Sequence, residues 1–146
     1  DDPNYILEET IKSESIIKQF INEIKQEFNL TNNQICLSGF SQGCMMSLNV
    51  GLTLEERFSC IVGFSGKIIN QNDLNSRKKV STKTLLIHGD SDQVVHPNFM
   101  LEAKDFFERN KIDITTKMLK GCGHNIPVEA SSLGLTFLKK IFNINS

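Results

Sequence analysis

A short motif with a central serine is the part of this sequence best suited to covalent chemistry. Residues Gly39 to Gly43 read Gly-Phe-Ser-Gln-Gly, between an apolar segment at 34–38 and a helical pattern that runs to about Leu54. A G-x-S-x-G turn between a strand and a helix holds the serine hydroxyl out of a strained backbone, and its glycines remove Cβ atoms that would clash there. The motif therefore predicts that Ser41 is a nucleophile at the carboxyl end of a sheet.

A serine hydroxyl is a poor nucleophile at neutral pH, so Ser41 needs partners. An imidazole must take its proton, and a carboxylate must fix the tautomer of that imidazole and stabilise its cation. His124 follows one predicted strand, and Asp90 and Asp92 follow another. Reactive groups collect at the carboxyl ends of parallel strands, so these loops are expected to meet Ser41. The chain order Ser, Asp, His is the one expected for the α/β-hydrolase arrangement.

Each of these residues also has an ordinary structural interpretation. Ser41 could lie in a simple turn or cap a helix, for which serine is a preferred residue. Asp92 could cap the helix that begins near Pro97, and Asp90 could occupy a turn position. His124 could be a solvent-facing residue of a glycine-rich loop. All three residue types at strand ends in a productive order favour a catalytic triad, but either carboxylate could be its acid.

The other histidines and the cysteines are interpreted as structural. His88 ends a buried strand, where a local hydrogen bond is expected, and His96 precedes a helix, so neither is taken as the general base. Zinc is not expected, because the sequence has no C-x-x-C or H-x₃₋₅-H pair. The four cysteines are too few for a disulfide scaffold, and three of them lie in apolar segments: Cys36, Cys44, Cys60 and Cys122.

Strands that alternate with helical patterns predict the architecture around these residues. An amphipathic helix is expected to end near Asn29, a second to begin after Ser41, a third to begin near Pro97 and a fourth to cover the C-terminal segment. Residues 67–79 are predicted to form a loop or a short surface helix. Strands are predicted at 34–38, 59–64, 84–88 and 113–119. Connections long enough for crossovers imply an α/β fold with a parallel sheet of about four strands and helices on both faces.

Length and charge limit the classes of protein and partner. The 146 residues suit one domain, 1–146, and 16 Lys and Arg against 17 Asp and Glu give a formal charge of −1. Without a basic stripe, nucleic acid is not expected as a partner. The apolar runs are too short to span a membrane, and the first residues do not resemble a signal peptide, so the predicted location is cytoplasmic.

Four strings of this sequence resemble the phospholipase/carboxylesterase family of α/β-hydrolases, which includes the acyl-protein thioesterases. They are Gly-Phe-Ser-Gln-Gly at 39–43, Phe-Ser-Gly at 64–66, His-Gly-Asp-Ser-Asp-Gln-Val-Val at 88–95 and Gly-Cys-Gly-His at 121–124. The resemblance spans nearly the whole chain. It implies that Ser41 is the nucleophile, Asp92 the acid and His124 the base, and that the backbone N–H of Gln42 is one oxyanion donor.

The resemblance also implies hydrolysis of small acyl esters or thioesters, including lysophospholipids, through an acyl-enzyme and without a cofactor. Family members begin with several strands and an H-G-x-G-type loop with a second oxyanion donor, and no such segment precedes Asp1, so the chain looks like the C-terminal part of such an enzyme. The alternative is a catalytically impaired or partner-dependent remnant. A dienelactone-hydrolase-like enzyme would have cysteine at the position of Ser41.

The same resemblance predicts an exposed sheet edge. The strand before the nucleophile is interior in the family, so the predicted strand 34–38 would become an edge in this chain. Unpaired N–H and C=O groups at an apolar edge are a template for pairing with another strand. We therefore expect the stretch from Gln34 to Ser38 to pair with a missing N-terminal portion or to form a homodimer.

Overall fold

Four parallel strands alternate with five α-helices in the computed structural model, which describes residues 2–145. The sheet order is β1-β2-β3-β4, and every neighbouring pair is parallel. This confirms the predicted α/β class. The strands are β1 Cys36–Phe40, β2 Cys60–Phe64, β3 Thr84–Gly89 and β4 Ile114–Leu119. The helices are α1 Pro3–Phe28, α2 Gln42–Leu52, α3 Gln71–Arg77, α4 Asn98–Arg109 and α5 Val128–Ile141.

The two faces of the sheet carry separate apolar clusters because side chains alternate along each strand. Ile61 and Leu86 point towards α2, α3 and α4, where they pack with Leu48, Leu74 and Phe106. Their neighbours Val62, Leu85 and Ile87 point the other way and pack with Ala130, Phe137 and other residues of α5. Helices therefore cover both faces, as the continuously apolar strands predict.

The first helix is longer than its apolar spacing indicates. It begins at Pro3, after the Asp2 side chain accepts a hydrogen bond from the Asn4 N–H at 3.0 Å, and Asn29 ends it in the left-handed conformation at φ 53°. Ile21 packs with Val50 of α2 and with Phe58. The helix thus lies mainly against α2 rather than directly on the sheet.

The predicted strand at 34–38 was placed two residues too early. Gln34 closes a short 3-10 turn, in which its N–H donates to the Thr31 carbonyl at 3.0 Å and its side chain accepts from the Thr31 N–H at 2.9 Å. This turn keeps Gln34 out of the sheet, and β1 instead continues through Gly39 and Phe40, which lie opposite Gly63 and Phe64. The prediction that this strand lies at the sheet edge is confirmed for the described residues, since β2 is its one neighbour.

Candidate active site

Ser41 lies in a sharp turn between β1 and α2. Its backbone has φ 56° and ψ −117°, a conformation that non-glycine residues rarely adopt, and its N–H donates to the Phe64 carbonyl at 2.8 Å. A Cβ atom on Gly39 would overlap the carbonyl group of Gly43, whereas a Cβ on Gly43 would meet no atom within 4 Å. The clash predicted for both glycines therefore holds for Gly39 and is wrong for Gly43.

His124 joins the serine to the acid. Its Nε2 lies 3.0 Å from Ser41 Oγ, and its Nδ1 lies 2.8 Å from Asp92 Oδ2. The Phe40 ring packs against the imidazole with ring centroids 4.8 Å apart. The loops of Asp92 and His124 approach closely at Gly89, where a Cβ would overlap the Cys122 carbonyl group. Three residues from separate loops thus form one hydrogen-bonded chain at the carboxyl ends of β1, β3 and β4.

The Asp92 carboxylate is buried, with 3% of the residue exposed. Its Oδ1 accepts hydrogen bonds from the Val94 and Val95 N–H groups, each at 2.9 Å. Burial by itself raises the pKa of Asp92, but the hydrogen bonds from His124 and from these two N–H groups outweigh it and hold that pKa below its ordinary value. The carboxylate is therefore ionised at neutral pH, as an acid that orients an imidazole must be.

Asp90, the other carboxylate considered from the sequence, has a turn role. It is exposed, and its Oδ1 accepts from the Ser91 hydroxyl at 2.9 Å and from the Gly121 N–H at 2.8 Å. These contacts tie the loop after β3 to the loop after β4. Asp92, not Asp90, is the carboxylate that contacts His124.

The remaining histidines do not contact the serine hydroxyl. His96 Nδ1 accepts from the Asn98 N–H at 3.1 Å. His88 is buried, as expected, but it also lies against the acid, with Nε2 2.8 Å from the Val95 carbonyl and 3.4 Å from Asp92 Oδ2. Sequence reasoning missed this second contact, although a histidine directly after three apolar strand residues and four residues before Asp92 was a signal for it. Residues 2–145 contain no group of three side chains placed to hold a metal ion.

Gln42 begins α2 and is exposed beside Ser41. The N–H groups of the first helical turn have no acceptor within the helix, so they are free to bind an anion. A groove of about 740 Å³ reaches Gln42 but lies beside β1, away from His124. Its lining is mostly apolar and comes largely from α1, β1 and α2: Ile16, Ile17, Phe20, Ile24, Leu37 and Met46.

Comparison with known proteins agrees with this arrangement. The model of a family described as phospholipase/carboxylesterase matches residues 2–142. This chain belongs to that family. The resemblance stated from the motifs is thereby confirmed. Within the described residues, no helix has both the length and the hydrophobicity of a membrane span.

Relatives of this phospholipase/carboxylesterase family member include two yeast proteins. Acyl-protein thioesterase 1 of Yarrowia lipolytica is 28% identical over 144 residues, which cover 95% of this chain and 61% of the relative. Acyl-protein thioesterase 1 of Saccharomyces cerevisiae is 32% identical over 126 residues, which cover 80% of this chain and 55% of the relative. The chain therefore spans less than two thirds of the length of either relative.

Solved structures share the fold. The crystal structure of esterase PE8 superimposes with a TM-score of 0.91 at 30% sequence identity, over 97% of this chain and 66% of that chain. Arabidopsis thaliana SOBER1 superimposes with a TM-score of 0.81 at 22% identity, over 97% of this chain and 66% of that chain. At that level of identity the second likeness concerns the fold alone.

Proposed function

We propose that this chain carries the nucleophile, base and acid of a serine hydrolase that cleaves carboxylic esters or thioesters. The observation that supports the proposal is the continuous hydrogen-bonded chain from Ser41 Oγ to His124 and on to Asp92. A serine in an ordinary turn has no need of a buried, ionised carboxylate behind its histidine partner.

The proposed reaction begins when His124 Nε2 takes the proton of the Ser41 hydroxyl as Oγ attacks the carbonyl carbon of the substrate. The Gln42 N–H donates to the resulting oxyanion, and Asp92 stabilises the imidazolium. The tetrahedral intermediate then collapses, and the imidazolium returns its proton to the leaving alcohol or thiol. Water, activated by the same imidazole, hydrolyses the acyl-enzyme and regenerates Ser41.

The proposed substrates are small acyl esters or thioesters, with lysophospholipids among them. The thioester part rests on relatives named acyl-protein thioesterases and the ester part on a solved esterase. We propose that the chain, residues 1–146, forms a single domain. The cytoplasmic location stays a prediction from the sequence.

A fluorophosphonate probe tests the proposed nucleophile. We expect the probe to label Ser41, and we expect Ser41→Ala and His124→Ala to abolish labelling, because the hydroxyl is nucleophilic only when the imidazole accepts its proton. Ser38→Ala and His96→Ala are matched controls, since both residues are exposed and lie outside the hydrogen-bonded chain. Peptide mapping locates the label. Equal labelling of wild type and of both triad variants would contradict the proposal.

Steady-state hydrolysis separates the proposal from its alternative, an impaired or partner-dependent protein. Removal of one oxyanion donor lowers kcat by about 10²- to 10³-fold in serine hydrolases, so an incomplete oxyanion site should be visible in the turnover rate. Turnover of short acyl esters and thioesters by this chain supports the hydrolase. Labelling of Ser41 without turnover would favour the alternative.

We also propose that the free edge of β1 pairs with another strand, from a further portion of the protein or from a second copy of this chain. Ile16 and Phe20, on the face of α1 beside that edge, are 68% and 59% exposed. An apolar face next to unpaired backbone groups suits a strand whose alternate side chains are apolar.

Sedimentation and intact mass test the pairing. We expect a dimer or a co-purified polypeptide, and we expect Ser38→Lys to weaken the association because it places a charge on the exposed edge. Glu9→Lys, an exposed change on α1 that does not line the groove beside β1, is the control for added charge. A monodisperse monomer with slow amide exchange in β1 and no second polypeptide would rule out both forms of pairing.

A further inference from the structure

His88 contributes a hydrogen bond to the loop that holds the triad acid. The residue is 2% exposed at the end of β3, and its Nε2 lies 2.8 Å from the Val95 carbonyl oxygen. A carbonyl oxygen accepts hydrogen bonds only, so Nε2 must carry the hydrogen and act as the donor. This contact defines the tautomer of a neutral His88 ring.

Both backbone polar groups of Val95 are hydrogen-bonded. Its carbonyl accepts from His88, and its N–H donates to Asp92 Oδ1 at 2.9 Å. The other carboxylate oxygen, Oδ2, is the one that faces His124 Nδ1 at 2.8 Å, and it lies 3.4 Å from His88 Nε2. His88 therefore touches the acid directly and also anchors the residue that fixes its second oxygen.

The position of His88 in the strand also requires an explanation. The preceding residues of β3, Leu85 to Ile87, are buried and apolar, and a polar ring among them is unfavourable unless it is hydrogen-bonded. An apolar residue would satisfy packing alone. The His88 ring places its Nε2 hydrogen on the Val95 carbonyl in the loop of Asp92. Packing alone does not require this hydrogen bond.

We propose that His88 is a positioning residue that acts through Val95 and Asp92 to orient His124. This inference rests on the proposed function, because it assigns a role within the same site. Loss of the His88 donor frees the Val95 carbonyl and lets the Asp92 carboxylate turn away from His124 Nδ1. The hydrogen bond between Asp92 and His124 then weakens, although both residues are still present.

Two substitutions separate the donor from the volume of the side chain. His88→Gln keeps an amide N–H near the position of Nε2, whereas His88→Leu has similar size and no donor. His96→Gln is the matched control, because His96 is an exposed histidine outside the triad. If His88→Leu does not fold, His88→Asn replaces it. The asparagine side chain is one carbon shorter than glutamine, so its N–H lies farther from the Val95 carbonyl, and we expect the same result as for His88→Leu.

The first readout is the low-field proton resonance of His124 Nδ1–H, which reports the hydrogen bond to Asp92 without any need for hydrolysis. We expect this resonance in wild type, His88→Gln and His96→Gln, and we expect it to be lost or shifted upfield in His88→Leu. An unchanged resonance in His88→Leu would overturn the inference, whether or not Ser41 reacts with a probe.

The second readout is the rate of Ser41 labelling by a fluorophosphonate in a double-mutant cycle. We expect His88→Leu to slow labelling by about 10- to 100-fold, the cost of a small misplacement of a catalytic group, and His88→Gln to restore most of the rate. In an Asp92→Asn background the same change is expected to cost little further, because its route through Asp92 is already lost. An equal loss in both backgrounds would overturn the inference, whereas unlabelled wild type would count against the proposed function alone.

Discussion

Gly39 and Gly43 flank Ser41 in the sequence but have different roles in the structure. A Cβ on Gly39 would overlap the backbone of Gly43, and one on Gly43 would meet nothing within 4 Å. We expect Gly39→Ala to destabilise the protein by about 3 kcal/mol, since backbone atoms cannot yield as a flexible side chain can. Gly43→Ala should be neutral or stabilising by up to about 1 kcal/mol, because it lies in α2.

Urea unfolding and the rate of Ser41 labelling measure this difference. Gly39→Ala should lower both the unfolding midpoint and the labelling rate. Equal effects of the two substitutions would mean that the turn tolerates a Cβ on Gly39 and that its close approach to Gly43 is unimportant.

The pH dependence of stability follows from Asp92. Its folded-state pKa lies below its ordinary value of about 3.9, so the unfolded chain binds more protons and stability rises with pH. The contribution of Asp92 should be complete above about pH 5 and lost as the pH falls through the folded-state pKa. Urea midpoints of wild type and Asp92→Asn should therefore differ by a constant amount above about pH 5 and converge as the pH falls from there through the folded-state pKa. A difference that stays constant as the pH falls would show that Asp92 titrates alike in both states.

At the residue scale, the sequence predicted which side chains lie together because reactive groups that follow parallel strands meet at one edge of the sheet. Ser41 and His124 were predicted from their positions after strands, together with either Asp90 or Asp92, and the family resemblance implied Asp92. The structure places Ser41, His124 and Asp92 within hydrogen-bonding distance. Spacing could not choose between Asp90 and Asp92, because both follow β3 and only the path of the loop decides which carboxylate turns inwards. The contact of His88 with Asp92 depends on the same loop path.

At the scale of elements, a buried ionic cluster fixes the long helix α1. Glu14 on this helix has a side chain that is 3% exposed and accepts from Arg77 Nη1 and Nη2 at 3.0 and 2.8 Å. Its Oε2 also accepts from Asn49 Nδ2 at 3.0 Å. Arg77 is bound by Asp73 as well. The cluster therefore ties α1 to α2 and α3.

Removal of Glu14 should loosen α1. We expect Glu14→Ala to destabilise the protein by about 2 kcal/mol. The change leaves the buried Asn49 amide without this acceptor and removes one of the two carboxylates that bind the partly exposed Arg77. Glu9→Ala is the control, since the Glu9–Lys12 pair is exposed and should contribute less than about 0.5 kcal/mol. The measurement is urea unfolding of both variants. Equal decreases in the free energy of unfolding for Glu14→Ala and Glu9→Ala would show that the burial of Glu14 does not increase its contribution to stability.

The orientation of α1 was beyond what its sequence could predict. Its apolar spacing predicts one stripe that includes Ile17, Phe20 and Ile21. The structure buries Ile21 and partly buries Ile17 against α2, but it leaves Phe20 and Ile16 mostly exposed beside β1. The Glu14 cluster helps to select this rotation, and it depends on partners 35 to 63 positions away in the chain.

At the scale of the whole molecule, one sheet has an apolar cluster on each face, and alternate residues of the same strands belong to the two clusters. Ile61 faces one cluster and Ile87 the other. We expect Ile61→Val and Ile87→Val each to destabilise the protein by about 1 kcal/mol. The urea midpoint should shift equally whether unfolding is followed by circular dichroism or by Ser41 labelling, because the proposed single domain unfolds as one unit. Unfolding transitions that differ between circular dichroism and Ser41 labelling would contradict the proposed single domain.

The reactivity of Ser41 depends on the register in which β1, β2 and β3 pair. Phe40 lies opposite Phe64, and Phe64 opposite Ile87, so the register fixes the position of Ser41 relative to the loop of Asp92, which follows Gly89 at the end of β3. A slip of one residue between neighbouring strands moves one loop by about 3.3 Å. That displacement exceeds the 3.0 Å that joins His124 to Ser41. A refolded sample with native helix content but a slipped edge strand would not react with the probe, so labelling is a stricter test of correct folding than a circular dichroism spectrum.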